Sequence, residues 1–256
     1  MIGAYLAGDG YGIANLSQYG VAVYETDGSA PTHRVDCTMA WGPCDLEQQP
    51  VPIPDGAQPS SGSDGAMVVL DRSTGRSYDF WQARPSADGS WSTSWAGIAD
   101  TNGDGYTPGA AQTGAGVPRI AGVVRTFEIE QGHIPHALAF STTNACEGTF
   151  RYPASKTDGG SGRADCIPEG ARIQLDPQVD VAAIPGIAPG ELAVARALQT
   201  YGAYAMDNGG AKMAFIFETP SPGEDTYTAA GLDHDFFRLQ HIPWQNLRVL
   251  QQWDGG

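Results

Sequence analysis

Positive charge is what this chain has least of: 14 Lys and Arg stand against 29 Asp and Glu, a formal net charge of −15 at pH 7. Such a surface repels phosphate polymers, so nucleic acid is excluded as an expected partner. Charged residues make up only 17% of the sequence, while 6 Trp, 10 Tyr and 8 Phe are spread along it; intrinsic disorder needs the opposite composition. No run of about 18 apolar residues occurs, so no membrane association is expected. The segment Met1 to Gly10 lacks both the basic start and the apolar stretch of a secretory signal. Also missing are a glycine-rich phosphate loop, a dinucleotide fingerprint and a serine nucleophile elbow. No fixed-period repeat announces a propeller or solenoid.

What is abundant is turn-forming sequence, with 34 Gly and 18 Pro. Short strand-like runs bounded by turn residues cover 67–71, 77–83, 90–98, 120–124, 134–141 and 213–218. Ser73-Thr-Gly-Arg76 reads as a hairpin turn between the first two. One segment, 189–205, has a helical period: Leu192, Ala195, Leu198 and Tyr201 share a face, Glu191 lies in the first turn, and Asp207-Asn-Gly-Gly ends it. Many short strands with one helix predict a mainly β protein, a jelly-roll-like β-sandwich with one main α-helix at about 190–205. The expected organisation is a single domain over 1–256, with 1–50 an irregular N-terminal segment packed on a sandwich core at 51–250. The Pro/Gly/Ser-rich stretch after Val51 is a long loop of that domain. The helical stripe is expected to pack on the sheet, leaving a monomer.

Four cysteines form two close pairs, Cys37 with Cys44 and Cys146 with Cys166. Four cysteines allow three connectivities, of which this local one is the simplest. Neither spacing is C-x-x-C and no clustered His accompanies them, so two disulfides are expected over a zinc site, with free buried thiols as the alternative. Disulfides place the native protein outside the reducing cytosol. The expectation is an extracellular, secreted protein, with Met1 an added start on a mature chain.

Several segments could carry chemistry. Asp100-Thr-Asn-Gly-Asp-Gly-Tyr106 matches the opening of a calcium loop, with oxygens available from Asp100, Asn102, Asp104 and the Tyr106 carbonyl. Position twelve of such a loop should be Glu and is Ala111, so structural Ca2+ competes with an Asx-rich surface turn. No organic cofactor is expected. In Gly132-His-Ile-Pro-His-Ala-Leu-Ala-Phe140, period-two alternation puts His136 with Ile134, Leu138 and Phe140, either as a satisfied core histidine or as an acid, base or substrate contact in a cleft. Asp233-His-Asp235 and His241 lack metal-ligand spacing.

Three carboxylates sit in apolar or aromatic surroundings: Asp79 in Tyr78-Asp-Phe-Trp81, Glu128 in Arg125-Thr-Phe-Glu-Ile-Glu130, and Asp207 after Tyr201-Gly-Ala-Tyr-Ala-Met206. Such settings suit glycoside-cleaving acids, one of which must hold its proton while the other is ionised. Each has an ordinary alternative: an edge-strand position for Asp79, a pair with Arg125 for Glu128, a turn cap for Asp207. Trp81, Trp91, Trp95, Tyr201 and Tyr204 could supply stacking platforms for sugar rings, or simply fill the core.

Taken in order, Arg125-x-x-Glu128-Ile-x-x-Gly132-x-Ile134-x-His136-Ala-Leu138, Phe150-Arg-Tyr-Pro-Ala154 with Asp158-Gly159, Gly170-Ala-Arg172 with Leu175, and Ala197-Leu-Gln-x-Tyr-Gly-Ala-Tyr204 with Asp207 resemble a group of secreted, mainly actinobacterial proteins of unassigned function. Asp64-Gly65, Tyr78-Asp-Phe-Trp81 and Pro243-Trp244 with Leu247 also fit, so the resemblance spans roughly 51–250. It implies one extracellular domain and marks Asp64, Asp79, Glu128, His136 and Asp207, without supplying a reaction. The functional expectation is a glycoside hydrolase acting on an extracellular polysaccharide. Asp79 and Asp207 are its paired carboxylates, Glu128 stands in reserve, and His136 orients them or shares their proton. Asp64, Trp81, Trp91, Trp95, Tyr201, Tyr204 and Arg125 are the candidate substrate contacts. The alternatives are a non-catalytic carbohydrate-binding or cell-surface module, a polysaccharide lyase using His136 with Tyr201 or Tyr204, and a structural envelope protein.

Overall fold

A computed structural model describes residues 11–106 and 112–251. The protein is mainly β. Its largest sheet has seven strands in the order Phe237–Arg238, Ile13–Asn15, Ala214–Ile216, Leu138–Ser141, Ala203–Asp207, Arg172–Leu175 and Leu247–Val249. The second sheet has four, in the order Trp95–Asp100, Arg76–Trp81, Met67–Asp71 and Ala22–Thr26. The Ser73-Thr-Gly-Arg76 turn joins two of these as an antiparallel hairpin, with Gly75 at φ 65° where a side chain would be strained.

Both sheets mix parallel and antiparallel ladders. Ile13–Asn15 runs parallel to Ala214–Ile216, Leu138–Ser141 to Ala203–Asp207, and Ala22–Thr26 to Met67–Asp71. A jelly roll is antiparallel throughout, so the arrangement is sandwich-like with a strand order of its own. The N-terminal segment, expected to be irregular with a few strands and packed on the core, contributes a strand to each of these two sheets, Ile13–Asn15 and Ala22–Thr26.

The run Met67-Val-Val-Leu70 is continuously apolar because both faces of its strand are covered. Met67 and Val69 enter a core with Phe80, Tyr78, Leu46, Ile53 and Trp91. Val68 faces the other way, with Val21, Ala66 and Val123, and the partly buried Ile216 of the large sheet packs there too. This thin layer joins the two sheets. On its far face the large sheet packs Leu138, Phe140, Ile173 and Phe215 against Val194 and Leu198 of the main helix, Pro189–Thr200. Pro at the first turn and Glu191, which accepts the Ala188 N–H at 3.2 Å, start that helix. It ends at Thr200, earlier than the predicted 205. Gly202 then takes φ 74° and the chain becomes the strand Ala203–Asp207, so alternation rather than helical period governs Ala203 to Asp207.

Two further elements differ from expectation. Residues 119–122 form turns and Val124 makes only an isolated bridge to Phe217, while residues 132–137 are a loop, so the strand begins only at Leu138. Arg125 to Gln131 is instead a capped helix, Thr126–Gln131, closed by Gly132 at φ 64°.

Both local disulfides are formed, Cys37–Cys44 and Cys146–Cys166, and no described cysteine is free. They fit an oxidising compartment. Among the described residues no helix is long and apolar enough to cross a membrane.

Candidate functional site

The face of the four-stranded sheet that looks toward the large sheet carries Asp79, Trp81, Trp95 and Gly97, because Trp81 pairs with Trp95 and Asp79 with Gly97. Where the sheets separate, the segment 112–119 bridges them. On one side Gln112 lies over Gly97, where any Cβ would meet its side chain at 2.9 Å, and its Nε2 donates to the Ile98 carbonyl at 3.0 Å. The Arg119 N–H donates to Asp79 Oδ2 at 2.7 Å, and Arg119 Nη2 to the Gln112 carbonyl at 2.8 Å. On the other side the Ala115 N–H donates to the Met206 carbonyl at 3.1 Å, and the Ser155 N–H to the Ala115 carbonyl at 2.9 Å.

Outside this bridge opens a cleft of about 520 Å³ lined by Trp41, Trp81 and Trp95, by Asp64, Asp158 and Asp207, and by Arg119 and Lys156 among others. Trp41 stacks on Trp81 with ring centroids 5.8 Å apart and lies tilted at 5.8 Å from Trp95. Trp41 is 58% exposed, so the cluster offers an open aromatic surface. Asp64 comes from the smaller-sheet side, its carbonyl accepting the Gln82 N–H at 2.6 Å.

Asp207 stands at the end of a large-sheet strand. Ala203 and Ala205 point into the main core, and strict alternation would send Asp207 after them. A bulge prevents this: Phe140 pairs with Ala205 but Ser141 with Asp207. The carboxylate turns to the cleft, where Oδ1 accepts the Asn208 N–H at 3.1 Å. Asp158 Oδ1 accepts the same N–H at 3.2 Å. Behind them lies Glu169, fully buried, whose Oε2 accepts the Asp158 N–H at 3.1 Å while Oε1 has no partner. One oxygen from each of Asp158, Glu169 and Asp207 lies within 4.8 Å of the others. Among the described residues this is the group of acids close enough to hold a metal ion. Gly114 makes the crowding possible, since a methyl there would meet Asp207 Oδ1 at 2.7 Å.

The electrostatics follow from this packing. Burial pushes Asp207 up to about 6, with Asp158 and Asp64 raising it further against the opposing Arg119 charge. Burial likewise pushes Glu169 up to about 8; the Thr157 hydrogen bond opposes this, and the charges of Asp158 and Asp207 add to it. Burial also lifts Asp79 to about 6, against the Arg119 N–H.

Of the predicted site residues, the fold brings Asp64, Trp81, Trp95 and Asp207 together in the cleft. Asp79 lies on the same sheet face but fully buried under Arg119, so it is neither an exposed edge residue nor part of the lining. Glu128 and His136 form a separate pair, with Nε2 3.0 Å from Glu128 Oε1 and Nδ1 donating to the Ala137 carbonyl at 2.9 Å. Glu128 also accepts the Arg125 N–H at 2.8 Å as a helix cap. Arg125 pairs with Glu218 and Glu25 at 2.8 and 3.2 Å. Trp91 is core, Tyr201 caps the main helix with its carbonyl on Arg172, and Tyr204 lines a different hollow beside Tyr152. His136, Tyr201 and Tyr204 do not line the tryptophan cleft. Asp100 and Asp104 turn their carboxylates onto their own loop, accepting the Asn102 and Tyr106 N–H groups at 2.8 and 3.0 Å; Ala111 lies outside the described residues.

Sequence reasoning missed Trp41, Gln112, Arg119 and Glu169, and used Asp158 only as part of a resemblance. Glu169 did carry a signal, an acid between Ile167-Pro168 and the glycine turn before a strand. No protein-family model, no curated protein and no solved structure matches the chain.

Proposed function

We propose that the protein is a secreted glycoside hydrolase acting on an extracellular polysaccharide in this cleft. The observation that carries the reading is the meeting of three tryptophans with carboxylates from both sheets in one open groove. Tryptophan faces stack on sugar rings, and glycoside cleavage needs an acid that keeps its proton opposite a carboxylate that does not. Asp207 is the proton donor, its proton held by burial and by Asp158. Asp64, on the opposite side of the cleft, is the partner carboxylate, and Asp79 is a support beneath Arg119 rather than a reacting group. The chain works as a monomer, and its disulfides suit the extracellular setting.

The test is release of reducing ends from a panel of polysaccharides. Asp207→Asn and Asp64→Asn are expected to lower kcat by about 100-fold or more with melting temperature kept. Full turnover in both variants would overturn the assignment. The Trp41, Trp81 and Trp95 surface also suits a binding module without chemistry, and saturable binding with no product from any substrate would establish that reading instead.

A further inference from the structure

Resting on that reading of the cleft, we infer that Gln82 is a positioning residue: through a strained backbone and one side-chain hydrogen bond it fixes the partner carboxylate Asp64 against the Trp41, Trp81 and Trp95 surface. The first ground is its conformation. Gln82 takes φ 59°, and among the described residues only Phe236 shares such a left-handed value without being glycine. A side chain there costs stability that glycine would not, and strain of this kind collects beside functional sites. At the adjoining turn the chain does use glycine: Gly65 has φ 42°, and a Cβ on it would meet the Gln82 Cα at 3.2 Å.

The second ground is what Gln82 joins. It directly follows Trp81 at the end of the strand Arg76–Trp81. The left-handed turn leaves its N–H on the Asp64 carbonyl at 2.6 Å and puts the Ala83 N–H on the Gly65 carbonyl at 3.0 Å. The loop that carries Asp64 is thus tied to the strand end that carries Trp81. On its other side, Gln82 Oε1 accepts the Ser94 hydroxyl at 2.5 Å. Ser94 precedes Trp95, donates its N–H to the Trp81 carbonyl at 2.9 Å, and accepts the Met39 N–H at 3.3 Å, two residues before Trp41. One residue therefore reaches Asp64 through its backbone and the segments of all three tryptophans through its amide. A sugar ring lying on the tryptophans then meets Asp64 at a distance that Gln82 sets. Without the amide, Ser94 is released and the aromatic surface shifts against Asp64, although every group that touches the sugar is still present.

The experiment compares the wild type with Gln82→Gly, Gln82→Glu and Ser94→Ala. It reads thermal melting, the exciton couplet of the tryptophan cluster in circular dichroism, assigned by its loss in Trp41→Phe, and reducing-end release from whichever polysaccharide of the panel the wild type cleaves fastest. Gln82→Gly relieves the backbone, so its Tm should equal or exceed that of the wild type. Its couplet should nevertheless fall at least about twofold, and its kcat at least about tenfold. Ser94→Ala cuts the same hydrogen bond without touching the strained residue and should lose the couplet as well. Gln82→Glu keeps the length and the acceptor and should retain it. An unchanged couplet in Gln82→Gly overturns the inference whatever happens to kcat, and so does an unchanged kcat. A lower Tm with couplet and kcat intact, the mark of a residue that only holds the fold together, overturns it too. If Gln82→Gly does not fold, Ser94→Ala decides by the same two readouts. If the wild type cleaves no polysaccharide, the hydrolase reading falls by itself, because the couplet is measured without substrate and still judges Gln82.

Discussion

Asp79 gives the sharpest prediction because it is a fully buried acid whose Oδ2 has one donor, the Arg119 N–H, and whose Oδ1 has none. Burial raises its pKa from 3.8 to about 6. Between those values the unfolded chain has lost the proton and the native protein still holds it. Stability contributed by this group is therefore fully present below 3.8 and is lost as pH rises through about 6, the reverse of a salt-bridged aspartate. At roughly 1.4 kcal/mol per pH unit, the loss amounts to about 3 kcal/mol.

Asp79→Asn removes the charge while keeping an oxygen for the Arg119 N–H. Its new amide finds buried acceptors in the same neighbourhood, since Gln112 Oε1 and Ser77 Oγ are also without partners. The variant should match the wild type near pH 4 and be more stable by about 1 to 3 kcal/mol at pH 7. Urea unfolding at half-unit steps from pH 4 to 7.5 measures this. Asp207 and Glu169 titrate in both proteins, so the difference between the two curves isolates Asp79. A difference independent of pH would refute the burial argument. A loss of catalysis in the stably folded variant would return Asp79 to the reacting groups.

Gly114→Ala should push Asp158 and Asp207 apart and abolish turnover while lowering stability by only about 1 kcal/mol; full turnover would show that the carboxylates tolerate wider spacing. The Cys146–Cys166 link spans 20 residues, and replacing both cysteines by Ser should cost about 3 kcal/mol in urea unfolding. Because Cys166 adjoins the strand Ile167–Glu169, the same variant should bind sugar more weakly, and unchanged binding would disconnect the link from the site. For His136, burial opposes the charge, but the Glu128 hydrogen bond raises the pKa above 6.5. The bond stabilises fully below 6.5 and fades as pH rises through the folded value. His136→Gln should therefore cost up to about 1 kcal/mol in acid and less above neutrality, with turnover unchanged; a fall in kcat would place His136 in the chemistry.

The sequence carried the parts of this molecule that obey a local rule. Hairpin chemistry at Ser73 to Arg76, the apolar strand from Met67, the capped helix from Pro189 and the cysteine spacings are each settled within about a dozen residues. The cleft is not local. Asp207 turns outward because of a bulge specified by pairing with Ser141, and no period in its own strand records that. Asp79 looked like half of an acid pair because aromatic residues flank it in Tyr78-Asp-Phe-Trp81, which is true. What hides it is Arg119, 40 residues away on a bridge with no regular pattern. Glu128 looked catalytic as an acid in apolar surroundings and His136 as an imidazole alternating with core residues, yet helix capping needs that carboxylate and the histidine satisfies its other oxygen. Residue type thus identified acids under constraint. Only the meeting of two sheets decides which of those constraints faces the cleft: Asp64 and Asp207 line it beside the segment from Gln112 to Arg119, and Asp79 is closed off from it by that same segment.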